Sequence, residues 1–443
     1  MDVDCARLEQ EAVEIARDLV RIESVNTGDP ATIGDGEARA ARYVQERLDE
    51  VGIAGEYVAP TSGRGNLVVR IPGRDRSAGA LLAHAHLDVV PVDAADWSVP
   101  PFAAEVRDDS AYGEVLYGRG VVDMKGFAGT LVAVARALAR SGVVPRRDLV
   151  LAFLADEEAG GSWGAKWLVE NRADLFAGVT EAIGEVGGFS VPLPTTRDGA
   201  HRAYLLATAE KGAGWARLRA RGPAGHASHP GPDSAVLRLA RALTALGEHR
   251  FPVQRTAATA PFLSAFAEVT GHELAADVGR EHALNTLVAA GLRHSAVPTI
   301  LAAGYKLNVI PGEAAAEVDT RVVPGDEAGF RREVQRLVGP DVDVEWVQSN
   351  PPAVSPVDGP LVRVVREAVA HEDPDGVVVP YLLPASTDNK SFSRLGIAGY
   401  GFTPLRVPDG FDTFGQFHAV DEHVPLSALR FGARVTQRIL GTA

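Results

Sequence analysis

From residue 80 to residue 90 the chain reads ALLAHAHLDVV, an apolar run with His84, His86 and Asp88 at every second position. An extended strand alternates its side chains between two faces, so these three point the same way. The remaining positions are apolar, which means both faces of the strand are buried, the habit of a sheet covered by helices on each side. A buried polar side chain without a partner costs about 1 to 3 kcal/mol, so the fold must supply partners or a cation.

The surrounding chain keeps the rhythm this requires. Residues 5–21 and 37–51 show helical spacing, GNLVVRIPG reads as a strand, and a helical stretch at 124–142 precedes the apolar strand 148–156. A helix around WGAKWLVENRADLF and a strand at EAIGEVGG follow. The predicted class is α/β, a mostly parallel sheet sandwiched by helices. Functional residues of such sheets gather beyond the carboxyl ends of the strands, where Asp88, Glu157, Glu158 and Glu185 fall.

The pattern changes near residue 209. GAGWARLRAR alternates like a strand with one solvated face, PDSAVLRLARALTAL is an amphipathic helix, and YKLNVIPGEAAAEVDTRVV reads as a hairpin turned at PGE. EAGFRREVQRLVG is a second helix and VDVEWVQ a last strand. This is the split βαβ order, so an α+β ferredoxin-like module is expected at 209–349, inserted in a main domain made of 1–208 and 350–443. Residues 250–298 are long for a connection and are expected to hold local helix. A chain of 443 residues exceeds what one core usually supports, which agrees with two domains.

Composition excludes some functions. A net charge of -14 with no basic run argues against a nucleic-acid partner. Nothing approaches the ~20 apolar residues that span a bilayer. The N-terminus is acidic and amphipathic, unlike a secretory signal, so a cytoplasmic protein is expected. The single cysteine, Cys5, builds neither a disulfide nor a thiolate metal site.

Donors of another kind abound. Past His86 come Asp123 in GRGVVDMKG, Glu157 and Glu158 in ADEEAGG, Glu185 in AIGEVGG and His418 in FGQFHAVDEH. Two adjacent carboxylates are ordinarily a solvated turn, and a lone strand histidine is ordinarily part of the core. Two imidazoles with several carboxylates and no thiolate suit zinc or another divalent first-row ion.

HLDVVP, GRGVVDMKG, DEEAGG, GEVGG, GPAGHASHPG, NVIPGEAAAEVDTR and HAVDEHVP, in that order, resemble the di-zinc metallopeptidase family of aminoacylases, glutamate carboxypeptidases, acetylornithine deacetylases and succinyl-diaminopimelate desuccinylases. The similarity spans nearly the whole chain. It implies a zinc exopeptidase-like catalytic domain interrupted by a lid or dimerisation domain. It also implies two Zn2+ per chain, with Co2+ or Mn2+ as substitutes. By resemblance, His86 and His418 each bind one zinc, Asp123 bridges both, and Glu158 and Glu185 are the terminal ligands. Glu157 is the general base, and Asp88 orients His86, a common arrangement for a metal-bound imidazole. His84 stands where relatives usually carry an apolar residue and is read as structural.

The resemblance also marks His226 in GHASHP, Asn308 in NVIP and Arg321 in VDTR. The family's histidine polarises the scissile carbonyl, often across a dimer interface, while Asn and Arg hold the substrate and its carboxylate. His229 is the rival for the first role. The expected activity is hydrolysis of an amide beside a free carboxylate, in an N-acyl amino acid or small peptide, by a homodimer. The alternatives are a non-hydrolytic binding protein, an amide-forming relative on the same fold, and a barrel amidohydrolase, whose eight repeats the inserted module breaks. Thr387-Asp388-Asn389-Lys390 stands where relatives often show Thr-Asp-Ala-Arg. Like the long insertion, it resembles the larger aminoacylase and carboxypeptidase branch.

Overall fold

The computed structural model describes residues 3–193, 202–229, 231, 233–270 and 290–442. Helix α1 (Cys5–Arg21) starts at Asp4, whose side chain accepts the Arg7 N–H, and buries Leu8, Ala12, Ile15 and Leu19 at helical spacing. Helices α2 (Gly36–Asp49) and α3 (Gly126–Ser141) complete one flank with α7 (Pro360–Glu372) and α8 (Leu426–Thr442). Helix α4 (Ala165–Asn171) covers the other flank.

Between them lies a mixed sheet whose central pairings are parallel. Its strands are β1 (Gly55–Val58), β2 (Asn66–Ile71), β3 (Ala80–His86), β4 (Leu149–Leu154), β5 (Val179–Gly184), β6 (Arg202–Glu210), β11 (Gly376–Leu383) and β12 (Ala398–Gly401). They run in the order β1-β2-β4-β3-β5-β12-β6, with β11 parallel to β6. Every residue of β3 is buried. Leu81, Ala83 and Ala85 face the α1–α3 side, whereas Leu82 shares the opposite face with His84 and His86.

A second sheet has its own apolar core. Strands β7 (Gly212–Arg221), β8 (Ser295–Ala303), β9 (Glu313–Val322) and β10 (Val342–Asn350) are antiparallel in the order β8-β9-β7-β10. Helices α5 (Ala235–Glu248) and α6 (Glu327–Val338) cover one face through Leu239, Leu246, Phe330 and Val334.

The PGE hairpin does not form. Val309–Ile310 pairs with Gly225–His226, and β9 takes β8 as its partner instead. Helix occurs at Ala260–Thr270 as expected for this connection, but its end enters β8; residues 271–289 lie outside the described residues. The reason β8 escapes a pattern search is physical. It is an edge strand, with Thr299, Ile300, Leu301, Ala302 and Ala303 all exposed, so no burial alternation marks it. Pro298 sits beside a register shift, where a strand tolerates a missing N–H. Among the described residues no helix is long and apolar enough to cross a membrane.

Candidate active site

Strand β3 pairs in parallel with β4 and β5, so three carboxyl ends lie side by side. His86 closes β3, the Glu157–Ala159 turn follows β4, and Glu185 follows β5. Asp123 arrives from the turn before α3, and His418 from the C-terminal region in the left-handed conformation, φ 61°.

These side chains converge. His86 Nε2 lies 2.9 Å from Asp123 Oδ1 and 3.4 Å from Glu185 Oε2. His418 Nε2 lies 3.2 Å from Asp123 Oδ2 and 3.1 Å from Glu158 Oε2. The two oxygens of Asp123 therefore face two different imidazoles. His86, Asp123 and Glu185 are buried, while His418 is half-exposed.

Second contacts fix the set. The Asp88 main-chain carbonyl accepts a hydrogen bond from His86 Nδ1 at 3.0 Å, leaving Nε2 directed at the carboxylates. The Asp88 carboxylate stands farther off, Oδ1 at 3.5 Å from that nitrogen. It accepts instead the N–H groups of Glu157 and Glu158, at 3.1 and 3.0 Å, and the Asn26 amide at 2.8 Å. Orientation of His86 thus falls mainly to the Asp88 backbone, and the Asp88 side chain holds the Glu157–Glu158 turn. His84, one turn of the pleat deeper, bonds Asn389 at 3.0 Å and packs on Phe392. Gly184 makes room for its ring: a Cβ there would come within 2.2 Å of it.

The electrostatics are those of a cation site. Burial pushes the Glu157 carboxyl well up, and the charge of Glu185 adds to it; burial likewise raises Glu158, and Glu185 to about 7. Burial alone would lower His86, but Glu185, Asp123 and Asp88 override it and raise the imidazole. Hydrogen bonds to Asp123 and Glu158 raise His418 to about 10. Glu158 Oε1 is buried without a hydrogen-bond partner. The donor atoms of His86, Asp123 and Glu158 lie within 4.8 Å of one another, as do those of His86, Glu157 and Glu185. Crowded carboxylates, an orphaned oxygen and an all-nitrogen-and-oxygen donor set fit divalent ions.

His226 and Asn308 stand apart from this cluster, exposed on the ribbon Gly225–His226/Val309–Ile310. His226 Nδ1 is 2.8 Å from Ser228 Oγ, and the Asn308 carbonyl accepts the Ala227 N–H at 3.1 Å. Arg321 lies on β9, bound to Asp319. Several neighbours escaped the sequence reading. Asn26 carried no signal in SVNTGD, and Glu422 none beyond its place in VDEH. Asp388 is buried with Oδ2 unpaired, and Lys390 Nζ donates to the Lys211 carbonyl. The Thr-Asp-Asn-Lys run had marked those last two positions without a role.

Imidazoles and carboxylates at adjoining strand ends of a mixed sheet flanked by helices form a candidate divalent-metal centre. The chain belongs to peptidase family M20/M25/M40, whose sequence profile matches residues 82–442. It is 26% identical over 374 residues to aminoacylase-1 of Homo sapiens, covering 83% of this chain and 82% of that one. It is 26% identical to the N-fatty-acyl-amino acid synthase/hydrolase PM20D1 of Xenopus tropicalis over 251 residues, 55% of this chain and 46% of that protein, so less than half of that relative is spanned. The fold matches an M20 family metallo-carboxypeptidase, Sso-CP2 from Sulfolobus solfataricus, with TM-score 0.71 at 17% identity, covering 97% of this chain and 98% of that one.

Proposed function

We propose that the protein is a di-zinc hydrolase that cleaves an amide bond adjacent to a free carboxylate, in an N-acyl amino acid or small peptide. The observation that carries this reading is the Asp123 carboxylate, which offers one oxygen to His86 and the other to His418. His86 with Glu185, and His418 with Glu158, would then hold one ion each, sharing Asp123. Bound ions of this kind supply Lewis acidity toward water and a carbonyl.

The chain's own residues do the rest. Glu157, its carboxyl raised by burial and Glu185, takes the proton of the attacking water and returns it to the leaving nitrogen. Arg321 binds the substrate carboxylate. His226 donates to the developing oxyanion. His226 and Asn308 make no hydrogen bond to their own cluster among the described residues, which favours service to a partner's site in a homodimer. The open edge of β8, with Val297, Ile300 and Leu301 exposed, offers a second copy a place to pair. A cytoplasmic setting belongs to the same proposal, in keeping with a lone free Cys5.

Metal content after dialysis tests this reading together with turnover of a mixed dipeptide and N-acyl amino acid library. Two ions per chain, lost in Asp123→Ala, and release of free amino acids are expected. An active preparation that holds no metal would sink it.

A further inference from the structure

We propose that Glu422, paired with Arg119, is a positioning residue that holds the loops of Asp123 and His418 in the mutual placement that metal binding requires. The proposal rests on the reading that Asp123 and His418 share an ion.

Glu422 is fully buried, between His418 and the strand His423–Pro425, which pairs antiparallel with Gly113–Tyr117. Its Oε2 accepts from Arg119 Nη1 at 2.9 Å and from the Gly120 N–H at 2.8 Å. Its Oε1 accepts from the Val122 N–H at 2.7 Å and the Asp123 N–H at 3.1 Å. Gly120, at φ 85°, turns these N–H groups toward one point, a conformation that glycine adopts freely. The other end of the pair reaches the second loop: Arg119 Nη2 donates to the His418 carbonyl at 3.3 Å. The guanidinium lies over the Trp97 ring, 5.2 Å from its centroid. One ion pair therefore touches the main chain of both proposed ligands.

The chemistry requires a carboxylate here. All four acceptor positions of Glu422 are taken by donors, so none is left for an ion. Glu158, with its orphaned Oε1, is the opposite case. A glutamine at 422 would turn an NH2 group against two of the donors. Joining the two strands needs no charge, because buried ion pairs are often replaceable by apolar packing without loss of stability. What the fourfold-bonded carboxylate adds is a fixed position for the Asp123 N–H and, through Arg119, for the His418 carbonyl. Loosening it would part Asp123 Oδ2 from His418 Nε2. His86 and Glu185 would keep their places, because β3 and β5 hold them.

The test compares wild type, Glu422→Gln and a control, Glu181→Gln, each stripped of metal and titrated with Co2+ by visible absorption and chelator competition. Glu181 is also a buried carboxylate, bound to Arg147 at 2.6 Å and to the Leu361 N–H at 2.9 Å, and lies in the strand that ends before Glu185. Glu422→Gln is expected to bind the ion assigned to His418 and Glu158 ~10- to 100-fold more weakly, the usual effect of losing an outer-shell partner, and the ion at His86 and Glu185 with a smaller loss, because only its shared ligand Asp123 is loosened. Glu181→Gln, though destabilised in thermal unfolding, should bind both ions as wild type does. If Glu422→Gln fails to fold, Arg119→Lys carries the same test, because the point charge of an ammonium does not reproduce the two spaced donors, Nη1 to Glu422 and Nη2 to the His418 carbonyl. Equal losses in variant and control, or an unchanged second affinity, overturn the proposal. A His418→Ala chain that still takes up the second ion with wild-type affinity defeats the ligand reading itself, and the proposal with it.

Discussion

Asp319 grips the guanidinium of Arg321 in a two-pronged ion pair on one face of β9, Nε to Oδ1 at 2.8 Å and Nη2 to Oδ2 at 3.1 Å. Two residues apart on a strand, the carboxylate fixes the plane of the fork that a substrate would meet. Arg321 also bears on a buried lysine, Lys211, and a partly buried one, Lys390, where β6 hands over to β7. Burial, with the charge of Arg321 adding, lowers Lys211 to about 7; Lys390 is lowered to about 8 by burial, with Arg321 acting the same way and Glu210 against it.

Arg321→Lys should therefore lose catalytic efficiency on substrates with a free carboxylate by about 2 to 3 kcal/mol, the scale of a charge-assisted pair. An ammonium cannot reproduce the fork. Substrates amidated at that carboxylate should be poor already and lose little more. The measurement is kcat/KM for both enzymes on both substrates; equal losses on acid and amide would assign Arg321 to the fold alone.

Glu157→Gln keeps the volume of the side chain and removes its ability to take a proton. Turnover should fall ~10²- to 10⁴-fold, the worth of a positioned base. Metal content should stay near wild type. Retention of most activity would transfer the role to another carboxylate of the cluster.

The His226 side chain is exposed and, among the described residues, hydrogen-bonds only its neighbour Ser228. Mixed dimers of His226→Ala and Glu157→Gln chains should regain a fraction of the wild-type rate, because one hybrid site would carry both intact residues. Verified mixed dimers that stay inactive would point to a role within one chain or to a monomer.

His294 offers a pH prediction away from the candidate metal site. Its Nδ1 accepts the Val323 N–H at 3.0 Å, and burial, helped by the charge of Lys211, lowers it to about 4. Below the ordinary histidine value near 6.5 the unfolded chain takes up a proton that the folded chain refuses until about pH 4. The stability it provides is complete above pH 6.5 and is lost as pH falls toward 4, with a slope of up to ~1.4 kcal/mol per unit. His294→Asn can still accept the Val323 N–H and should flatten denaturation midpoints across that window. An unchanged slope would remove His294 from the account.

Local pattern was enough to make the strands around His86, Glu157 and Glu185 legible. Two-sided burial writes an apolar run, and a parallel sheet leaves polar residues only where its strands end. The same logic recovered β7, β9, β10 and the helices that cover them, because each shows one dry face and one wet face. Periodicity says which face a residue occupies, but it is silent on which strand lies opposite. That is why β8, exposed on both faces from Thr299 to Ala303, escapes the pattern and a PGE hairpin is expected in its place. It is also why the sequence could not tell whether Asp88 serves His86 through its side chain or its carbonyl, or that Glu422 fastens the turn of Asp123. The first is a choice between two oxygens of one residue, which the Asn26, Glu157 and Glu158 donors settle by occupying the Asp88 carboxylate; the second closes across some three hundred positions, and packing alone brings it within hydrogen-bond reach.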